Sequence, residues 1–108
     1  MASTLTPGEL FALDTLVTPT AQGIASRVLA RTAAGNLTLF AFDAGEELSE
    51  HTAPFDALVI GVQGDAQIQI AGNQYMLHEG ETITMPANQP HAILAVSDFK
   101  MLLVMLKA

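Results

Sequence analysis

Gly64-Asp65-Ala66-Gln67-Ile68-Gln69-Ile70-Ala71-Gly72-Asn73-Gln74-Tyr75-Met76-Leu77 decides how the chain is to be read. Two short runs, Ala66–Ile70 and Gln74–Leu77, carry strand-forming residues, and Gly72-Asn73 joins them. Gly64-Asp65 precedes the first. Both pairs supply residues that accept a positive φ or close an Asx turn. A link this short joins antiparallel neighbours, because parallel strands need a long crossover.

The same texture extends in both directions from this stretch, beginning after Gly23. Runs rich in Val, Ile, Thr and Phe predict strands over Ile24–Arg31, Leu37–Phe42, Ala57–Val62, Thr82–Met85, His91–Val96 and Phe99–Leu106, with turns at Ala34-Gly35-Asn36 and Ser97-Asp98. No repeat, linker or low-complexity stretch divides them, so one domain is expected. Eight strands in one flat sheet would leave exposed edges and an uncovered apolar face; a closed or two-layered all-β barrel, a jelly-roll type of double-stranded β-helix, avoids both. Residues 1–22 read as an N-terminal arm and 23–108 as the barrel. Within the arm, Thr6-Pro7-Gly8-Glu9 has the pattern of a helix start, and Leu10, Leu13 and Val17 follow at helical spacing. A short helix is therefore predicted there, closed by Pro19 and Gly23.

Composition narrows the function. Half of the 108 residues are hydrophobic and 14% are charged, which favours a packed core over disorder. Eleven acidic against four basic residues give a net charge of −7, which disfavours nucleic acid and anionic membrane surfaces as partners. Cysteine is absent, which rules out thiolate nucleophiles, disulfides and Cys-based zinc sites. The apolar run Met101–Leu106 is far too short to span a bilayer, and the first residues lack the basic and apolar segments of a signal peptide, so a cytoplasmic protein is expected.

Two segments carry the chemistry. The first runs from Gly45 through His51, Ala53, Asp56 and Ala57 to Gly64; the second is Gly80-Glu81-Thr82-Ile83-Thr84-Met85-Pro86-Ala87-Asn88-Gln89-Pro90-His91. Together they resemble the two motifs of the cupin superfamily, G(X)5HXH(X)3-4E(X)6G and G(X)5PXG(X)2H(X)3N, over Gly45 to Ala95. Gly80, Pro86 and His91 match the second motif. Asn88 replaces its glycine, a mild change because Asn tolerates the left-handed backbone, and Ala95 stands where asparagine is frequent. In the first motif Gly45, His51 and Gly64 keep their offsets, while Ala53 takes the place of the second histidine and Ala57 that of the glutamate.

The resemblance implies that His51 and His91 point into the barrel and line a ligand pocket. Strand alternation adds Gln63 as a candidate polar neighbour if Ala57, Val59 and Gly61 face inward, and turns Asp56 the other way. Two imidazoles are fewer than the three protein ligands of an ordinary catalytic metal site. A divalent transition metal on His51 and His91 would thus need Asp56, Gln63, water or a ligand to complete it. The leading expectation is a pocket for a small, partly apolar molecule; the alternatives are a metal-dependent dioxygenase or isomerase and a non-catalytic assembly module. His78, beside the Glu79-Gly80 turn, reads as a surface residue, and Glu46, Glu47 and Glu50 as a solvated loop. Met85, Met101 and Met105 read as core filling.

A chain with so few charges has little to cover its outside, and a homodimer is expected. Light scattering should give twice the 11.4 kDa chain mass; a monomer at working concentration would contradict this.

Overall fold

Each strand-forming run pairs so as to put one apolar side inward. In the computed structural model, which describes residues 2–107, the strands are β1 (Ala2–Ser3), β2 (Ile24–Thr32), β3 (Gly35–Phe42), β4 (Glu47–His51), β5 (Asp56–Gln63), β6 (Ala66–Ile70), β7 (Asn73–Leu77), β8 (Thr82–Met85), β9 (His91–Ala95) and β10 (Phe99–Leu106). They form two antiparallel sheets, in the orders β1-β2-β3-β10-β5-β8 and β4-β9-β6-β7. The expected all-β jelly roll is the fold. Short connections carry β3 into β4, β5 into β6 and β9 into β10, and the matching sheet orders lay these partners over one another.

Two strands were not expected. β1 is a two-residue addition along the β2 edge. β4 lies in the segment read as an acidic loop: Glu47 and Glu50 are exposed, but their backbone pairs with β9. Its sequence is poor in strand formers because it is the outermost strand of its sheet, where charged side chains protect an edge.

The predicted helix does not form. Among the described residues of the arm there is only a 3-10 turn, Leu13–Thr15. Gly8 has φ +82, which interrupts a right-handed helix, and the Glu9 N–H closes a turn onto the Thr6 carbonyl. Of the predicted apolar stripe only Val17 is buried, while Leu10 is fully exposed. The arm instead runs through a series of turns and packs Leu5, Leu16 and Val17 on Leu29, Leu39 and Ala41 of the six-stranded sheet. No helix among the described residues is long and apolar enough to cross a membrane.

The main core fills the space between the sheets. Phe42, Val59, Ile68, Ile93, Phe99 and Met101 are essentially inaccessible, and the Phe42 and Phe99 rings pack with centroids 5.7 Å apart and planes tilted by 54°. Met85 belongs to this core as well, with Met105 at its margin. Inward residues lie in cross-strand rungs. One runs Phe42–Phe99, a middle one Thr38–Leu103–Val59–Ile83, and the last Arg31–Asn36–Met105–Ala57–Met85. On the other sheet the rung beneath the last is Ile70–His91–His51. These final rungs define the mouth of the barrel. An apolar groove of about 210 Å³, lined by Ala30, Asn36, Leu37, Val104, Met105 and Leu106 among others, lies at this same end of the six-stranded sheet.

Gly64, between β5 and β6, has φ +74, and a Cβ there would collide with the Asp98 carbonyl and the Ser97 hydroxyl; Gly72 has φ +83 but open space around it. Gly72→Ala should therefore cost about 1 kcal/mol for its backbone alone, and Gly64→Ala about 3 kcal/mol or more. Urea denaturation checks this. Equal losses would contradict the close approach at Gly64.

Candidate functional site

His91 is the first residue of β9, and in the alternation of that strand it shares the inner side with Ile93 and Ala95. The turn before it is rigid. Asn88 adopts φ +64, its N–H bonds the Ala53 carbonyl at 2.8 Å, and the Asp56 carboxylate accepts the Ala87 N–H at 2.8 Å. Prolines flank it on both sides, so few conformations other than the native one are open to it.

His51 reaches the same place by a different device. Leu48 faces inward against the core, and three residues on, regular alternation would turn His51 outward. The pairing of β4 with β9 shifts between Leu48 and His51: Leu48 opposes Ile93 and His51 opposes His91, leaving two residues against one. This bulge changes the phase of the strand and returns His51 to the inner side. Bulges at sheet edges re-aim side chains in this way.

The two rings then meet. Their Nε2 atoms are 3.1 Å apart and the planes cross at 69°. His91 is buried, 6% exposed, whereas His51 lies open at the mouth. The opposite side of each ring is fixed: His51 Nδ1 donates to the Ser49 carbonyl at 2.8 Å and His91 Nδ1 to the Gln89 carbonyl at 3.2 Å. A neutral imidazole that donates from Nδ1 has only a lone pair at Nε2. Both Nε2 lone pairs thus converge on one point, an arrangement that demands an electrophile between them. A proton satisfies it as an N–H···N bond shared by the pair, and so does an O–H or N–H donor of a ligand.

Protonation of His91 is resisted. Its pKa is lowered, first by burial and further by the charge of the His51 ring, while the Gln89 carbonyl acts in the other direction. His78, at the opposite end of the barrel, behaves inversely: its ring donates to Asp65 at 2.7 Å on the surface, and that hydrogen bond raises its pKa.

The remaining sequence candidates lie apart. Gln63 is exposed at the far end of β5, where the chain turns through Gly64 into β6, and it pairs with Lys100 rather than approaching the mouth. Inward alternation holds for Ala57, Val59 and Gly61 but ends at the irregularity between Lys100 and Met101. Asp56 is at the mouth but on its outer rim, engaged with Ala87. What sequence reasoning missed is the wall facing the histidines: Thr38, 7% exposed, and Asn36 on β3, with the Thr38 hydroxyl donating to the Asn36 side-chain oxygen at 3.1 Å. Gly35-Asn36 reads as a turn, and only the register shows it to be strand.

This combination of motif, sheet order and histidine placement agrees with comparison against known families. A model described as cupin domain matches residues 38–106. The chain belongs to the cupin family. A conserved protein of unknown function from Streptococcus pyogenes is 35% identical, with all of this cupin aligned to 96% of that chain at a TM-score of 0.93. A cupin superfamily protein from Desulfitobacterium hafniense is 29% identical over 96% of this chain and 95% of its own, TM-score 0.91. A cupin 2 conserved barrel domain protein from Leptotrichia buccalis is 34% identical over 90% of this chain and 47% of its own, TM-score 0.85. No curated protein matches.

The metal that many cupins hold is a question for the donors present. Nitrogens 3.1 Å apart would subtend roughly 100° at a metal with bonds of about 2.0–2.1 Å, and carbonyls holding each Nδ1–H are the usual support for ligating histidines. The count falls short, however. Among the described residues no three His, Cys, Asp or Glu side chains gather, and alanines stand at positions 53 and 57. The residues of this cupin do not by themselves make up a three-ligand site.

Protonation of His91 should appear in stability. Because the unfolded chain takes a proton near pH 6.5 that native His91 resists, stability falls as pH drops below about 6.5. His91→Gln should flatten this fall. His78→Gln should steepen it, since a raised pKa contributes stability at low pH that fades as pH rises. Urea midpoints at pH 7.5 and 5.5 give the comparison; an unchanged pH dependence in His91→Gln would contradict the assignment.

Proposed function

We propose that this cupin binds a small, partly apolar molecule at the barrel mouth, with the His51–His91 pair as its main polar centre. The observation that carries the reading is the convergence of two Nε2 lone pairs, each fixed from behind by a backbone carbonyl. Around them the rungs offer Ile70, Met85, Leu103 and Met105, an apolar surround with few polar groups, as ligand sites usually have. The pair accepts a hydrogen bond from an acidic O–H or N–H of the ligand, and it can hold the proton if the ligand gives it up. Alanines at 53 and 57 leave space where larger side chains would stand.

The nitrogen spacing favours one second reading, a metal-dependent enzyme in which the ligand or water completes the set around His51 and His91. Metal content and binding separate the two. A fragment screen by NMR should find ligands that shift the His51 and His91 ring resonances and raise the melting temperature. The double variant His51→Ala, His91→Ala should lose that binding, and chelator treatment of the wild type should leave it intact. Binding lost on chelation and restored by a divalent metal would favour the second reading; binding unchanged in the double variant would refute both.

A further inference from the structure

The wall facing the histidines carries donors where the histidines carry acceptors. Asn36 and Met105 oppose each other across β3 and β10, and Arg31 opposes Asn36 across β2 and β3. A second bulge brings Arg31, an exposed residue, into the row of Asn36. Val28 opposes Thr38 but Ala30 opposes Leu37, so the extra residue, Leu29, moves Arg31 into the inner row. Arg27, without that shift, lies on the outer side, donating to the Leu16 carbonyl. Lys100 donates to the Asp14 carbonyl and Lys107 lies over the Phe55 ring. Arg31 makes no hydrogen bond to another described side chain. The amide of Asn36 accepts from Thr38 through its oxygen, which leaves its NH2 as a donor.

The direction of the strands puts this row over the histidines. β3 leads into β4 at its Phe42 end, so its Asn36 end overlies the His51 end of β4; β10 likewise lays Met105 over His91. One wall of the mouth thus offers guanidinium and amide N–H groups, the other two imidazole lone pairs, with Met105 and Ile70 between. The sheets of such a sandwich lie about 10 Å apart, a gap that a molecule of a few carbons bridges.

We infer that the ligand is a small hydroxycarboxylate with an apolar body, its carboxylate held by Arg31 and Asn36 and its hydroxyl donating to the His51–His91 pair. This rests on the small-molecule reading above and adds the ligand's charge and its orientation. Arg and amide donors match a carboxylate in geometry as well as sign, and in a protein of net charge −7 an acid needs a local cation to bind.

Calorimetric titration at pH 7 with lactate, 2-hydroxyisocaproate and mandelate, each beside its neutral amide, tests it on the full chain. At least one acid should bind tenfold or more tightly than its amide. Arg31→Gln should remove that preference while leaving the amide's affinity in place, and Asn36→Asp should weaken the acid alone. The His51→Ala, His91→Ala variant should lose acid and amide together. Acids and amides that bind equally, a preference that survives Arg31→Gln, or no binding by any of the three acids would overturn the inference. Binding that ignores the histidine variant would instead overturn the reading on which it rests.

Discussion

The phase of one edge strand governs the site. β4 must turn Leu48 inward to close the core and, three residues later, turn His51 inward as well, which a regular strand cannot do. The bulge at Ser49-Glu50 resolves the conflict, and the Ser49 carbonyl it frees holds the His51 ring. His91 needs no such device because it begins its strand on the inner side, delivered by a turn that two prolines and left-handed Asn88 make rigid. The pair is therefore set by backbone, with side-chain contacts added afterwards.

The barrel divides along its length into a packed end and a mouth. Phe42, Phe99 and Met101 fill the packed end, and a close-packed interior of that kind admits no ligand. Toward the mouth the inward rungs become partly accessible and polar, with Thr38, Asn36 and Arg31 on one sheet and the histidines on the other. Replacement of the remaining motif ligands by Ala53 and Ala57 removes donors and volume together. What is left is a histidine pair with two oriented lone pairs rather than a complete set of ligands.

Much of this was legible in the sequence. The Gly64-Asp65 turn and the β-rich runs give eight of the strands, and the second motif places His91, while the turn expected at Gly72-Asn73 falls one residue earlier, at Ala71-Gly72, with Asn73 paired to Ile70. The missed strand, β4, is acidic because it is an edge, and composition there reports solvent exposure rather than backbone pairing. The helix expected near Thr6 fails where Gly8 takes a left-handed φ, and the arm covers the sheet with Leu5, Leu16 and Val17, leaving Leu10 and Leu13 exposed. Gln63 was expected beside the histidines on face alone; alternation says which side a residue takes but not which end, and Gln63 is at the other end. The facing wall was hidden by the two bulges, since an extra residue in a strand leaves no mark on composition or motif.

The central claim is that both rings donate from Nδ1 to the backbone and turn bare Nε2 atoms toward each other. Long-range 1H–15N correlation of the histidine side chains, in uniformly labelled protein above pH 7.5, reads the tautomers directly. Both His51 and His91 should show the Nδ1–H form. An Nε2–H form for either ring would contradict it.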